Sequence, residues 1–290
     1  MATRTARGTA AAKASGATLT IPAVTIPAGN ALIVGLGYDN AQGAPVSVTH
    51  AGRILRRKLQ RNDATNGFHM SMWLKGGYNK KQTGDIVATW AAAIGKRAMY
   101  ASSLNNEAFE DDASAAVQAL TTSPGTGLTG ALDRPNGFVF TCFVAEGPSS
   151  DHESATAEIE DGGFWTTAFI GQKAGTVGPP PISNITVIET YLEISDQDPT
   201  RARLQNATER NWVSGLVVLP ARLSELRQGI SISDMIDVDQ IVSDAGGDPD
   251  NVYYGLNEDT GLWEAYETTT PGTLRAVRSR DSEGGWQPPV

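Results

Sequence analysis

Glu158 and Glu160 stand closest to a recognisable reaction in this chain. They lie two apart in Ala155-Thr-Ala-Glu-Ile-Glu160, a stretch that alternates as a strand, so they share one face with Cα atoms about 6–7 Å apart. Such a pair can bring its carboxyls to the roughly 5.5 Å that retaining glycoside hydrolysis uses. Asp161-Gly-Gly163 then turns the chain into Phe164-Trp-Thr-Thr-Ala-Phe-Ile170, a hairpin that sets Trp165 across from the acids as a platform for a sugar ring. The competing reading is two solvated carboxylates on an exposed face. Glu189 and Glu193 also share a face, but four strand residues span about 13 Å, too far for either hydrolytic geometry.

Other chemistry finds less support. Cys142 is the one cysteine, so no disulfide forms within the chain and no thiolate cluster can. It sits in Phe138-Val-Phe-Thr-Cys-Phe-Val144, apolar on both faces, where a small buried hydrophobe is expected rather than a nucleophile. His50, His69 and His152 have no metal-ligand spacing. The parity of His69, opposite to Met70 and Met72, predicts that it faces solvent or an interface. No Gly-x-Ser-x-Gly elbow and no glycine-rich phosphate loop is present. Asp244, Asp248, Asp250 and Asn251 around Gly246-Gly247 offer oxygen atoms that suit Ca²⁺, without the EF-hand spacing, and read as a polar turn. This reading assigns no catalytic residue, no cofactor and no metal.

The elements that would position these residues are short strands. Ala31–Tyr38, Val46–Thr49, Phe68–Leu74 and Ile86–Trp90 are separated by Asp39-Asn40, Gly52, Asn66-Gly67, Gly76-Gly77 and Thr83-Gly-Asp85. Thr18–Ile21 and Val24–Ile26 alternate, and Pro22 and Pro27 confine them to an edge. Met99–Leu104, Phe138–Val144, the 155–170 hairpin, Ile185–Ile194 and Trp212–Leu219 continue the series, with a rigid break at Gly178-Pro-Pro-Pro181. Asn105–Ala119 is acidic and alanine-rich and reads as a loop or short helix. Ten to twelve strands with this punctuation predict an all-β chain, a two-sheet β-sandwich or jelly roll over residues 17–220. Residues 1–16, with Arg4, Arg7 and Lys13 and no acid, read as an extended arm ordered on a partner. Residues 221–290 form a small acidic appendage, α+β or a β-meander. Within it, Leu223–Gln228 and Ile232–Ser243 read as helices, and Val252–Leu256, Leu262–Tyr266 and Leu274–Val277 as a meander.

Composition narrows the partners. The chain has 290 residues and is 40% hydrophobic, with no run near the roughly 20 apolar residues of a membrane helix. The first residues lack the apolar core of an export signal, so action where the chain is made, or in a particle assembled there, is expected. Residues 1–100 carry 13 Lys/Arg against 3 Asp/Glu, and the remaining 190 carry 10 against 29. Such a split marks a surface that meets another surface, unless a sandwich interleaves the two halves. Arg53-Ile-Leu-Arg-Arg-Lys-Leu-Gln-Arg61 is basic with neither face clean, which predicts an exposed, twisted edge strand.

The order of motifs resembles a known module. Pro27-Ala-Gly-Asn-Ala-Leu-Ile-Val-Gly35, Val46-Ser-Val-Thr-His-Ala-Gly-Arg-Ile-Leu55, Met70-Ser-Met-Trp-Leu74, Thr83-Gly-Asp-Ile-Val-Ala-Thr89 and Pro135-Asn-Gly-Phe-Val-Phe140 follow one another. They are similar, over about residues 17–220, to a β-sandwich module of tailed-phage structural proteins that also occurs in some bacterial surface proteins. The motifs mark a fold and carry no catalytic residue. The resemblance implies a non-enzymatic virion structural protein assembled in the host cytoplasm, a capsid decoration or cement protein. Its partners would be the major capsid protein and further copies of itself, with no membrane or nucleic acid. Arg4, Arg7, Lys13, Arg53, Arg56, Arg57, Lys58 and Arg61 are the expected partner contacts. Two alternatives stay open. One is a tail-tip or fibre module that binds glycan or receptor on Trp73, Trp90 or Trp165. The other is a jelly-roll glycoside hydrolase; jelly-roll glucanases carry a third acid on such a strand, and none stands here.

Overall fold

The computed structural model describes residues 3–39, 43–63, 67–76, 78–105, 113–121, 124–132, 137–178, 184–195, 197–206 and 209–220, and, towards the C-terminus, 252–257, 262–270, 273–280 and 286–287. The chain forms two units, Met1–Ala221 and Arg222–Val290. Among the described residues no helix is long and apolar enough to cross a membrane.

The first unit is all-β. Its strands are β1 (Arg4–Ala12), β2 (Gly16–Ile26), β3 (Ala31–Asp39), β4 (Ser47–His50), β5 (Arg53–Ile54), β6 (Arg56–Asp63), β7 (Phe68–Lys75), β8 (Gln82–Ile94) and β9 (Arg97–Leu104). Then follow β10 (Ala113–Thr121), β11 (Gly137–Glu146), β12 (Thr156–Asp161), β13 (Phe164–Gly175), β14 (Ile185–Ile194), β15 (Arg201–Gln205) and β16 (Arg210–Pro220). They divide among three antiparallel sheets where two were expected. An outer sheet runs β2-β8-β4-β5, a middle sheet β1-β9-β3-β7-β6, and a third β10-β16-β11-β14-β13-β12-β15.

The third layer follows from the apolar runs. Alternation marks a strand with one wet face, whereas β3, β7 and β9 are buried along almost their whole length. In β3, Leu32, Val34, Leu36 and Tyr38 pack with Val48, Ile86 and Trp90 of the outer sheet. Ala31 and Ile33 turn the other way, into a core with Phe140, Cys142 and Val144 of the third sheet. Each such Leu, Ile or Val contributes about 1.5–3 kcal/mol by leaving water. Gly35 and Gly37 lie on the side of the third sheet because nothing larger fits there. A Cβ on Gly35 would fall 2.2 Å from the Tyr100 ring, and one on Gly37 2.7 Å from Val144.

The third sheet curls until it nearly closes. Residues 124–132 run along β15, with Thr126 N–H donating to Ala202 O (2.8 Å), Leu204 N–H to Pro124 O (2.9 Å) and Thr129 N–H to Thr200 O (2.9 Å). Ser214 Oγ on β16 donates to Gly125 O at 3.0 Å, which ties the same segment to the opposite end of the sheet. Inside the curl, Val139, Phe143, Ile159, Ile188, Leu204, Trp212 and Leu216 form a third core. The segment also covers an edge that would otherwise present open hydrogen-bonding groups.

Three further expectations change. Residues 4–12 are a strand paired with β9 of the same chain, where an extended arm ordered on a partner was expected. Residues 113–121 are strand β10, paired with β16, where a loop or short helix was expected. His69 is buried, since both faces of the middle sheet are covered; it stacks on Tyr38 at 5.4 Å. The 155–170 hairpin and the strand at 185–194 fall where the sequence predicts them.

The second unit, taken by itself, holds an antiparallel meander of β17 (Val252–Asn257), β18 (Leu262–Thr270), β19 (Thr273–Arg280) and β20 (Trp286–Gln287). The helices expected at 223–228 and 232–243, and the acidic loop at 244–251, lie outside the described residues.

Candidate interaction surfaces

The eight basic residues expected to contact a partner separate into two groups. Arg4, Arg7 and Lys13 are engaged within the chain. Arg4 is paired with the fully buried Glu189 of β14, its Nε donating to Oε1 at 3.2 Å, and its guanidinium lies 4.9 Å from the Tyr191 ring centre. Arg7 Nε donates to Ser103 Oγ at 2.7 Å, and burial lowers its pKa. Lys13 Nζ donates to Asn184 Oδ1 at 3.2 Å. Arg4 fastens β1 to the third sheet, Lys13 reaches the residue before β14, and Arg7 bonds β9 within its own sheet, so the basic N-terminus closes a seam within the molecule.

Arg53, Arg56, Arg57, Lys58 and Arg61 lie at sheet edges. Arg53 is on β5, last in the outer sheet, and the other four are on β6, last in the middle sheet. A bulge between Arg57 and Leu59 breaks the register with β7, which is why neither face of this stretch is clean. Arg56, Arg57 and Arg61 are exposed. Arg57 and Gln60 line an open groove of about 510 Å³ with Ala44, Pro45, Val46 and Trp73. Val46 and the neighbouring Ile54 are 63% and 72% exposed, unusual for their kind.

The basic side of the charge split has its own place in the first unit. Strands β1–β9 build the outer and middle sheets, and β10–β16 build the third. Among the described residues of this unit no strand crosses between the halves, so the basic first hundred residues keep to the outer and middle layers.

The hairpin carrying Glu158 and Glu160 forms a second surface. Pairing sets Glu160 between Trp165 and Arg201, and Glu158 between Thr167 and Arg203. Arg201 Nε donates to Glu160 and Arg203 Nε to Glu158, each at 2.5 Å. Both guanidiniums also lie against Trp165, at 5.2 and 4.0 Å from its ring. The acids share a face as expected, but each is neutralised by an arginine, which weighs against a nucleophile and proton donor working as a pair. The Trp165 ring is likewise occupied by guanidinium. Trp90 is buried, and Trp73, at the floor of the groove, is only 5% exposed with the Arg57 guanidinium over its ring. Arg201-Ala-Arg203 was missed in the sequence reading; its two-residue period opposite Glu158-Ile-Glu160 was the available signal.

This face continues one that is packed elsewhere. Phe140, Tyr191 and Phe169 stand opposite one another across β11, β14 and β13. Phe140 is in the core beneath the middle sheet, Tyr191 is partly covered, and Phe169 is 61% exposed while stacking on Tyr191 at 5.4 Å. The middle sheet ends at β1, and beyond Arg4 the same face of the third sheet carries the exposed Thr167 and Phe169.

Several polar groups are committed to the interior. Cys142 is fully buried, and desolvation, with the nearby Glu189 charge, raises its thiol pKa well above the ordinary value. His50 bonds Tyr78 Oη at 2.8 Å and Val24 O at 3.1 Å. His152 bonds Glu146 O, contacts Asn206 and packs edge-on against Trp212; burial lowers its pKa to about 4. Arg97 donates to the carbonyls of Ala14 (2.7 Å), Gly95 (2.7 Å), Thr18 (3.0 Å) and Ile94 (3.2 Å), pinning the corner between β1 and β2. Among the described residues no group of three or more His, Cys, Asp or Glu is arranged to hold a metal ion.

No known protein family matches the chain, and no curated protein matches it in sequence.

Proposed function

We propose that this chain is a non-enzymatic structural protein of a tailed-phage virion, one that decorates or cements the capsid by binding an acidic surface through its basic layers. The observation that carries the reading is the segregation of charge. Residues 4–104 form two sheets rich in Lys and Arg, and their edge strand β6 presents Arg56, Arg57 and Arg61 beside an open groove. Charge arranged this way speeds encounter and selects a partner of opposite sign. The arginine partners of Glu158 and Glu160 favour binding over hydrolysis at that hairpin. The resemblance of the 17–220 motifs to phage sandwich modules supplies the virion context.

Attachment on this reading runs through β6 and leaves β1 in its own sheet. The test is quantitative imaging of particles assembled with wild-type chain and with Arg56, Arg57 and Arg61 all changed to Glu. Occupancy should fall to background for the triple variant while its thermal unfolding stays near wild type. Unchanged occupancy would remove the basic edge from the account, and particles of identical composition and robustness without the protein would remove the virion role.

A further inference from the structure

We infer that the outward face of β12, β13 and β15 is a two-fold interface between copies of this chain. The face is charge-balanced: two glutamates on β12 stand beside two arginines on β15, with Trp165, Thr167 and Phe169 on β13. A partner recognised by net charge would not select such a pattern, but the pattern is complementary to itself. A two-fold axis parallel to the strands and between β12 and β15 lays each β12 over the other copy's β15. Arg203 of each copy then meets Glu158 of the other, and Arg201 meets Glu160. The same operation places β13 over the segment that follows β15's outer edge, where Leu128 is 53% exposed.

Two further observations favour a covered face. Phe169 is 61% exposed on this face, beside Trp165 and Thr167, an apolar display that interfaces commonly use. The face also extends, without a change of sheet, the one already packed beneath the middle sheet through Phe140 and Tyr191. A closed two-fold contact uses one patch twice and stops at the dimer.

The test is sedimentation equilibrium of the full chain over a concentration series, with folding monitored by circular dichroism. Wild-type chain should show a monomer–dimer equilibrium. Arg203→Glu and Glu158→Arg should each weaken it more than about tenfold, because each sets like charges opposite one another twice. Mixing these two variants should restore dimers, since the glutamate introduced in one then meets the arginine introduced in the other. Phe169→Asp, which leaves both in-chain ion pairs in place, should also weaken dimerisation if the charge variants fold poorly. A wild-type chain that sediments as a monomer throughout means that something else covers the face and overturns the inference. So do folded variants that dimerise like wild type, or a mixture that stays monomeric. None of these outcomes bears on particle occupancy through β6.

Discussion

Arg4 and Glu189 stand 185 positions apart in the chain and meet as a buried ion pair, with Gln172 Nε2 donating to the same carboxylate at 3.2 Å. The pair joins the first strand of the middle sheet to the third sheet. Breaking a buried pair is costlier than never having built it, because the surviving charge is left in a medium that cannot solvate it. Glu189→Leu or Arg4→Met alone should cost about 3–5 kcal/mol in urea unfolding. The double replacement should recover most of that loss. Hydrogen exchange should show the β1–β9 amides opening first in the Glu189→Leu protein.

His152 gives stability a defined acid limit. Its folded pKa is held near 4 by burial, chiefly desolvation, while the unfolded chain titrates near the ordinary value of about 6.5. Between these values the unfolded state binds the proton and the folded state does not, so stability falls as pH drops from about 6.5 towards 4. The loss is on the order of 2–3 kcal/mol. His152→Gln should flatten that part of the stability–pH curve in thermal melts, whatever its effect at neutral pH.

Gly35 tests the close approach of the middle and third sheets. Tyr100 lies directly opposite on β9, and its hydroxyl donates to Thr141 O at 2.8 Å. A Cβ at 35 would meet that ring at 2.2 Å. Gly35→Ala should destabilise by about 1–3 kcal/mol, the usual range for overpacking. Pairing it with Tyr100→Phe should not rescue the fold, because the ring and not the hydroxyl alone is in the way.

Cys142 should behave as a clock for unfolding. The thiol is fully buried and its deprotonation is disfavoured, so the thiolate that reacts with disulfide reagents is scarce in the folded chain. Labelling at pH 8 should proceed at the rate of opening and rise steeply across the urea transition. Rapid labelling of native protein would contradict the packing described for this strand.

Some of this was legible in advance. The hairpin from Ala155 to Ile170 could be read because alternating residues flank an Asp-Gly-Gly turn, two local signals that agree. The edge position of Arg53–Arg61 could be read because neither face was apolar. What escaped were long-range facts. The continuous apolar run of Ala31–Tyr38 announced burial but not two covering sheets, so the middle layer and the interior place of His69 went unseen. Arg201 and Arg203 alternate plainly, yet their meaning depends on lying beside Glu158 and Glu160. Residues 113–121 are alanine-rich and mixed in pattern; their place beside β16 makes them a strand.

By itself the sequence determined the all-β character, most strand positions and the imbalance of charge, because turns, periodicity and composition are local properties. Only the tertiary structure decided what the charges do. It brought Glu189 to Arg4 and so turned a basic arm into a paired edge strand of the middle sheet. It set arginines beside two glutamates that spacing alone would lend to catalysis. It also kept the basic first hundred residues in sheets of their own. These outcomes rest on pairings between residues far apart in the chain, and a charge's role follows from the partner and the solvent it is left with.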